Sequence, residues 1–311
     1  MSFKEISRQF GRFIGRLAIR FFVFLVKFLS EKNIYSFAHI VSRVGFTLLR
    51  RHRKIAFESL NIAFGKKKSA KEISRIASDS FENMAKTAIE FMFFLEKPSL
   101  ISKYVEVKGR ENLDKALAKG NGVIGLSAHF GNFPLLLSKL SLDGYKVYSV
   151  LRYMRDPWVS NYFEKKRDAL GVGSIYTQPR KQCVEKSLET LRQNKILFMQ
   201  LDQNFGSGGI FVDFFGKKAA TAKGPIVFAL RTKAAIVPMF IRREKDNTQK
   251  IIIEPEAEIT SGKDFEETVY LTAQKLTGII ETYIRRYPSE WGWIHRRLKA
   301  KPQEEHSVST S

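Results

Sequence analysis

The sequence predicts an α/β fold: a single domain with a mixed, largely parallel sheet flanked by helices, preceded by a basic amphipathic helix. Three observations predict it. Short apolar runs that read as buried strands alternate with amphipathic stretches of helical period. The chain has 311 residues, 44% of them apolar and 26 of them Phe, enough to bury a substantial core. No internal repeat interrupts the alternation. The division expected is residues 1–50 as membrane-associated helices, 51–300 as the main domain and 301–311 as a polar tail.

The elements follow in order. Ile34 to Leu49 reads as an apolar helix, followed by the basic cluster Arg50-Arg-His-Arg-Lys54. Residues 69–95 read as a helix, because Phe81, Met84, Ala88, Phe91 and Leu95 step by three and four along one face. Lys97-Pro98 ends it. Tyr104 to Lys108 alternates like a strand at a sheet edge. Glu111 to Ala118 is a short helix and Gly120-Asn-Gly122 a turn. Val123 to Leu126 is a buried strand, Phe133 to Leu142 a helix, Asp143-Gly144 a turn, and Lys146 to Leu151 a strand. Pro157 to Leu170 is helical, with Gly171 as its end cap. Gln182 to Arg192 is another helix, Ile196 to Leu201 a buried strand, and Lys223 to Arg231 a helix. Ala235 to Ile241 and Gln249 to Ile253 are strands. Phe265 to Tyr287 is a long amphipathic helix. Lys301 to Ser311 is polar and expected to fray.

Charge narrows the partners. There are 53 Lys/Arg against 31 Asp/Glu, a net of +22. Residues 1–70 hold 15 Lys/Arg and 3 Asp/Glu, so over half the excess lies in under a quarter of the chain. A polyanion is implied. Lys4, Arg8, Arg12, Arg16 and Arg20 recur every fourth residue and form one stripe on a helix. Phe3, Ile6, Phe10, Phe13, Ile14, Leu17 and Phe21 fall opposite. A basic helix with an aromatic-rich apolar face suits the headgroup region of an anionic bilayer. Arg20 and Lys27 interrupt the apolar stretch Leu17 to Leu29, leaving it short of the ~20 residues a span needs. Snorkelling of the two side chains leaves a tilted span open, and an ordinary core helix with a basic face is the competing reading. No small-x-small site follows in Ser30-Glu-Lys-Asn-Ile-Tyr35, so a cleaved signal peptide is not expected. No nucleic-acid partner is expected, since no recognition motif is present. The one cysteine, Cys183, cannot form an intrachain disulfide, and its charged helical context does not suit a nucleophile.

The most informative residue is His129, in Gly122-Val-Ile-Gly-Leu-Ser-Ala-His-Phe-Gly-Asn-Phe-Pro134. It stands at the carboxyl end of a strand and the mouth of a helix, where open α/β sheets place ligands. A histidine there is suited to general base chemistry near neutral pH. The bland alternative is a hydrogen-bonded turn histidine.

Three segments together carry a resemblance. They are Ser127-Ala-His-Phe-Gly-Asn-Phe-Pro134, the stretch Asp202-Gln-Asn-Phe-Gly through Lys223-Gly-Pro225, and Trp291-Gly-Trp-Ile-His-Arg-Arg-Leu-Lys299. In order and spacing they resemble the bacterial lipid A secondary acyltransferases, the lauroyl and myristoyl transferases within the lysophospholipid acyltransferase superfamily. The resemblance covers nearly the whole chain. It implies an acyltransferase at the cytoplasmic face of a bacterial inner membrane. Acyl carrier protein would be the thioester donor and a lipid A precursor or related glycolipid the acceptor, with no metal or redox cofactor. It implies His129 and Asp202 as catalytic residues. Arg152, Gln203, Arg296 and Arg297 would hold substrate, the arginines through phosphate. Asn132 and the Gly131 amide are candidate oxyanion donors.

One position departs. The family's motif is His-x4-Glu or His-x4-Asp, with the acid orienting the imidazole. Five residues after His129 this chain has Pro134. Proline fits the first turn of a helix, but the carboxylate is gone. Three outcomes follow: Asp202 or another carboxylate reaches His129 from a neighbouring strand end, the histidine works alone, or the protein binds lipid without catalysis. The first is the expectation, because His129, Arg152 and Asp202 all match the pattern.

Overall fold

The computed structural model describes residues 3–154 and 156–298, with side chains described except at 3–8, 12 and 207. The expected polar tail, Lys299 at the end of the third motif, and the side chains of Phe3, Lys4, Ile6, Arg8 and Arg12 in the amino-terminal stripe lie outside the described residues.

The strands are β1 (Val105–Lys108), β2 (Val123–Ser127), β3 (Val147–Leu151), β4 (Gly173–Tyr176), β5 (Ile196–Gln200), β6 (Ile210–Phe214), β7 (Lys217–Thr221), β8 (Ala235–Arg243) and β9 (Gln249–Ile253). Seven of them form one sheet in the order β1-β9-β8-β2-β5-β3-β4, and β6 and β7 form a separate antiparallel hairpin. Every pair in the large sheet is parallel except β8 with β9. β2 lies at the centre with all five residues buried, which explains its unbroken apolar run. The mixed, largely parallel sheet is the one the alternation of strands and helices predicts.

The helices are α1 (Phe3–Phe28), α2 (Asn33–Leu48), α3 (Arg50–Phe64), α4 (Ala70–Glu96), α5 (Ile101–Tyr104), α6 (Arg110–Leu117), α7 (Phe133–Leu142), α8 (Pro157–Ala169), α9 (Arg180–Arg192), α10 (Gly224–Thr232) and α11 (Phe265–Arg286). α4 starts where Ser69 and Glu72 form a capping box. α8 ends at Leu170, with Gly171 following at φ +73°, as its glycine suggests. From β2 the chain passes through α7 to β3, leaving a gap that β5 later fills. One sheet face packs on α9, α10, α11 and the first half of α4 around Leu191, Ile226, Leu276 and Phe81. The other packs on α6, α7 and the second half of α4 around Leu113, Leu136 and Phe93. The elements not expected from the sequence are β4, the hairpin β6–β7 and the helices α3 and α5. The basic cluster Arg50–Lys54 opens α3.

The amino-terminal helix has its faces arranged in an informative way. Its apolar residues Phe10, Phe13, Ile14, Leu17, Phe21 and Phe24 are 48–64% exposed. Arg16, Arg20 and Lys27 turn towards the domain instead. Arg16 Nε lies 2.8 Å from Asp156, the Arg20 guanidinium lies 4.5 Å from the centre of the Trp158 ring, and Lys27 Nζ lies 3.5 Å from Glu96. The reading of α1 as an ordinary core helix with a solvated basic face is therefore inverted. α2 packs on α4 and extends the exposed apolar surface through Ile40, Val44 and Leu48. Among the described residues no helix is long and apolar enough to cross a membrane.

A buried ion pair ties α4 to the end of β8. Glu90 is 1% exposed and the Arg243 side chain 5%. Arg243 donates both Nη atoms to the Glu90 carboxylate, with Nη2 to Oε2 at 2.8 Å. Asn132 and Gln249 also donate to Oε2, at 2.9 and 3.1 Å. Removing one partner of such a pair leaves an uncompensated buried charge. Glu90→Ala is expected to lower unfolding free energy by roughly 3–5 kcal/mol, read from the midpoint of a urea titration.

Candidate active site

Ser127 of β2 pairs with Gln200 of β5, so the carboxyl ends of two adjacent parallel strands lie side by side. The Leu201 amide donates to the Ser127 carbonyl at 3.1 Å and carries the pairing one step further. His129 and Asp202, each two residues beyond a strand end, are thereby brought together. Asp202 is 1% exposed and accepts three hydrogen bonds. His129 Nδ1 lies 2.9 Å from Oδ1, while the His129 amide and Trp291 Nε1 donate to Oδ2 at 2.8 and 2.7 Å.

Burial alone would raise the Asp202 pKa. The adjacent His129 charge and the three donors outweigh it and hold the carboxyl well below the usual carboxylate range. An ionised Asp202 accepts from a protonated Nδ1, which leaves Nε2 of the neutral ring unprotonated. Gln203 Nε2 stands 2.9 Å from that atom and donates to it. The ring lies between Phe133 and His295, with centroids at 5.4 and 5.1 Å. Burial and the His129 charge push the His295 pKa down.

The turn that carries His129 is held by the carboxyl-terminal segment. The Gly131 amide donates to the Glu290 carbonyl at 2.8 Å, the Gly292 amide donates to the His129 carbonyl at 3.3 Å, and Phe130 bridges to Trp291. Gly131 has φ +55°, and a Cβ there would stand 1.9 Å from the Ile241 carbonyl oxygen, so only glycine fits. Asn132 caps α7 through Oδ1, which accepts from the Leu135 amide at 3.3 Å. Pro134 sits in the first turn of α7, where its missing N–H costs no hydrogen bond.

Several expected roles change on this geometry. Asn132 is fully buried with its amide donating to Glu90, and the Gly131 amide is engaged by Glu290, so both expected oxyanion donors face away from the reacting atom. Arg297 is 2% exposed and does not meet lipid phosphate. Its Nη1 donates to the carbonyls of Gln203, at 2.8 Å, and Ala220, and its Nη2 to Thr221 Oγ1 at 2.6 Å. It anchors the Asp202–Gln203 segment to β7, and burial pushes its pKa down to about 10. Arg296 is exposed and away from the cavity described next. Trp291 and Trp293 are core residues, 2% and 1% exposed. His295, Glu90 and Trp291 belong to the site and were missed as functional residues. An acid inside the run Ala88-Ile-Glu-Phe-Met-Phe-Phe94 is the signal that could have found Glu90.

His129 opens onto a cavity of about 860 Å³, walled by apolar side chains of α1, α4, α7, α8 and β3. That volume lies within the range of small-molecule sites, roughly 300–1,000 Å³. Gln203 and Arg152, which follows β3, line it with His129. The arrangement is an oriented imidazole at the mouth of an apolar chamber, with a cation at its wall. Among the described residues no three His, Cys, Asp or Glu side chains gather to hold a metal ion. Cys183 lies in α9 with its thiol pKa pushed up by burial.

The α/β sheet thus carries an oriented imidazole at the mouth of an apolar chamber. A family model described as bacterial lipid A biosynthesis acyltransferase matches residues 1–300, and the chain belongs to that family. Similar proteins include the lipid A biosynthesis palmitoleoyltransferase of Escherichia coli, 24% identical over 84% of this chain and 83% of that protein. The lauroyltransferase of the same organism is 23% identical over 90% of each chain. A phosphatidylinositol mannoside acyltransferase of Mycolicibacterium smegmatis is 24% identical over 66% of each.

Asp202→Asn tests the geometry. It is expected to lower kcat by roughly 10³–10⁴-fold with little change in KM, measured as acyl transfer. Asp202 titrates below its unfolded value, so its contribution to stability is present above about pH 4 and is lost as pH falls towards its folded pKa. The parent is therefore expected to lose more stability than Asp202→Asn on acidification below pH ~4.

Proposed function

We propose that the protein moves a fatty acyl group from acyl carrier protein to a hydroxyl of an anionic glycolipid of the lipid A type, with His129 as general base. The observation that carries this reading is His129, fixed by Asp202 through Nδ1 and opening onto an acyl-sized cavity. The acceptor hydroxyl displaces the Gln203 amide and gives its proton to Nε2 as its oxygen attacks the thioester carbonyl. The tetrahedral oxyanion collapses, the carbon–sulfur bond breaks, and the proton passes from Nε2 to the departing thiolate. The products are an ester and a thiol. With Gly131 and Asn132 engaged elsewhere, the Gln203 amide is the nearby donor for the oxyanion.

The surroundings support the substrate classes. Arg152 at the cavity wall suits a phosphate of the acceptor. The net charge of +22 would steer an acidic carrier protein. The exposed apolar faces of α1 and α2 would lie in the cytoplasmic leaflet of the inner membrane, with Arg50 and Arg51 beside them at headgroup level. A passive lipid-binding role leaves unexplained why a buried carboxylate with three donors should orient one imidazole.

The assay is direct. Purified full-length protein and His129→Ala are incubated with acyl carrier protein thioesters and a lipid A precursor. Turnover by the parent and a loss of roughly 10²–10⁴-fold in His129→Ala are expected. Equal turnover by both would remove His129 as base, and no turnover by either would favour the binding role.

A further inference from the structure

Helix α1 takes part in the cavity as well as presenting an apolar surface. Ala18, Ile19 and Phe22 line the chamber below His129. At 100° per residue these three share one side of the helix, and the exposed Phe21 and Phe24 lie well round towards the other. The cations between the two sides fasten the helix to the chamber's other walls. Arg16 and Arg20 engage Asp156 and Trp158 at the start of α8, and Lys27 engages Glu96 at the end of α4. Those same helices supply Phe163 and Phe91, whose rings stack on each other at 5.7 Å in the chamber wall. α1 is therefore a roof pinned to two walls.

We propose that α1 completes the acyl-chain chamber and that Ala18 and Phe22 on its inner side set the chain length accepted. This inference rests on reading the cavity as the acyl site. Ala18 has the smallest side chain of the three and leaves space under the roof, whereas the Phe22 ring takes space up. Enlarging the first shortens the chamber, and trimming the second lengthens it. Each methylene that gains or loses cover changes affinity roughly fourfold. The ion pair from Arg16 to Asp156 holds the roof in register, so breaking it weakens every chain length together.

The test uses the full chain and displacement of the fluorescent fatty acid cis-parinaric acid by decanoate, dodecanoate, tetradecanoate and hexadecanoate. Ala18→Trp is expected to move the tightest binder at least one step towards the shorter acids, with a loss of about tenfold or more for the longest. Phe22→Ala is expected to move it the other way. Phe21→Ala, on the outer side, should keep the parental profile. Asp156→Arg should weaken all four acids, and Arg16→Glu added to it should restore them. If the parent binds the acids but Ala18→Trp and Phe22→Ala keep its chain-length profile, α1 does not set the length. If the parent binds none of them, the acyl reading of the cavity falls, and this inference with it.

Discussion

A carboxylate buried without partners would cost several kcal/mol, and Asp202 is 1% exposed at the centre of the molecule. Its three donors resolve that cost and at the same time hold the site together. The His129 amide and imidazole belong to the turn after β2, Asp202 itself follows β5, and the Trp291 indole belongs to the carboxyl-terminal segment. One anion thus joins three pieces of chain that are far apart in sequence. The segment at Trp291 clasps the His129 turn again through Glu290 and Gly292, and Arg297 anchors the backbone beside Asp202. Behind them the Glu90–Arg243 pair holds Asn132 and hence the start of α7. Loss of the acid at Pro134 leaves the orientation of His129 intact, because Asp202 reaches Nδ1 from the next strand.

The large sheet was legible because its central strands, covered on both faces, read as unbroken apolar runs. The juxtaposition of His129 and Asp202 follows from the same logic, since both stand just beyond adjacent parallel strands. The hairpin β6–β7 was not legible. Its strands, Ile-Phe-Val-Asp-Phe and Lys-Lys-Ala-Ala-Thr, lack a clean period, and it is stabilised by packing Phe214 and Phe215 on Trp291 and Trp293. The roles of Asn132 and Arg297 were misjudged for a related reason. Polar residues near a site look like ligand groups in sequence, while their burial and their partners appear only when Glu90, Thr221 and the Gln203 carbonyl come into place.

The amino-terminal helix shows how a helical wheel gives the pattern and leaves the direction open. The spacing separates a basic side from an apolar side, as the structure has it. Which side meets the domain depends on partners elsewhere in the chain. Asp156, Trp158 and Glu96 engage Arg16, Arg20 and Lys27, and Phe10, Phe13, Phe21 and Phe24 face outward while Phe22 lines the chamber. An apolar face of that kind marks a site of association, and the cavity lies beneath the same helix, next to that surface.

The central claim is that Asp202 fixes the tautomer of His129 and leaves Nε2 as the base. Nitrogen-15 NMR of the His129 ring, at a pH where it is neutral, measures this directly. The expected result is a protonated, pyrrole-type Nδ1 and an unprotonated, pyridine-type Nε2, with the preference lost in Asp202→Asn. A proton on Nε2 in the parent, or a ring unaffected by Asp202→Asn, would contradict the account.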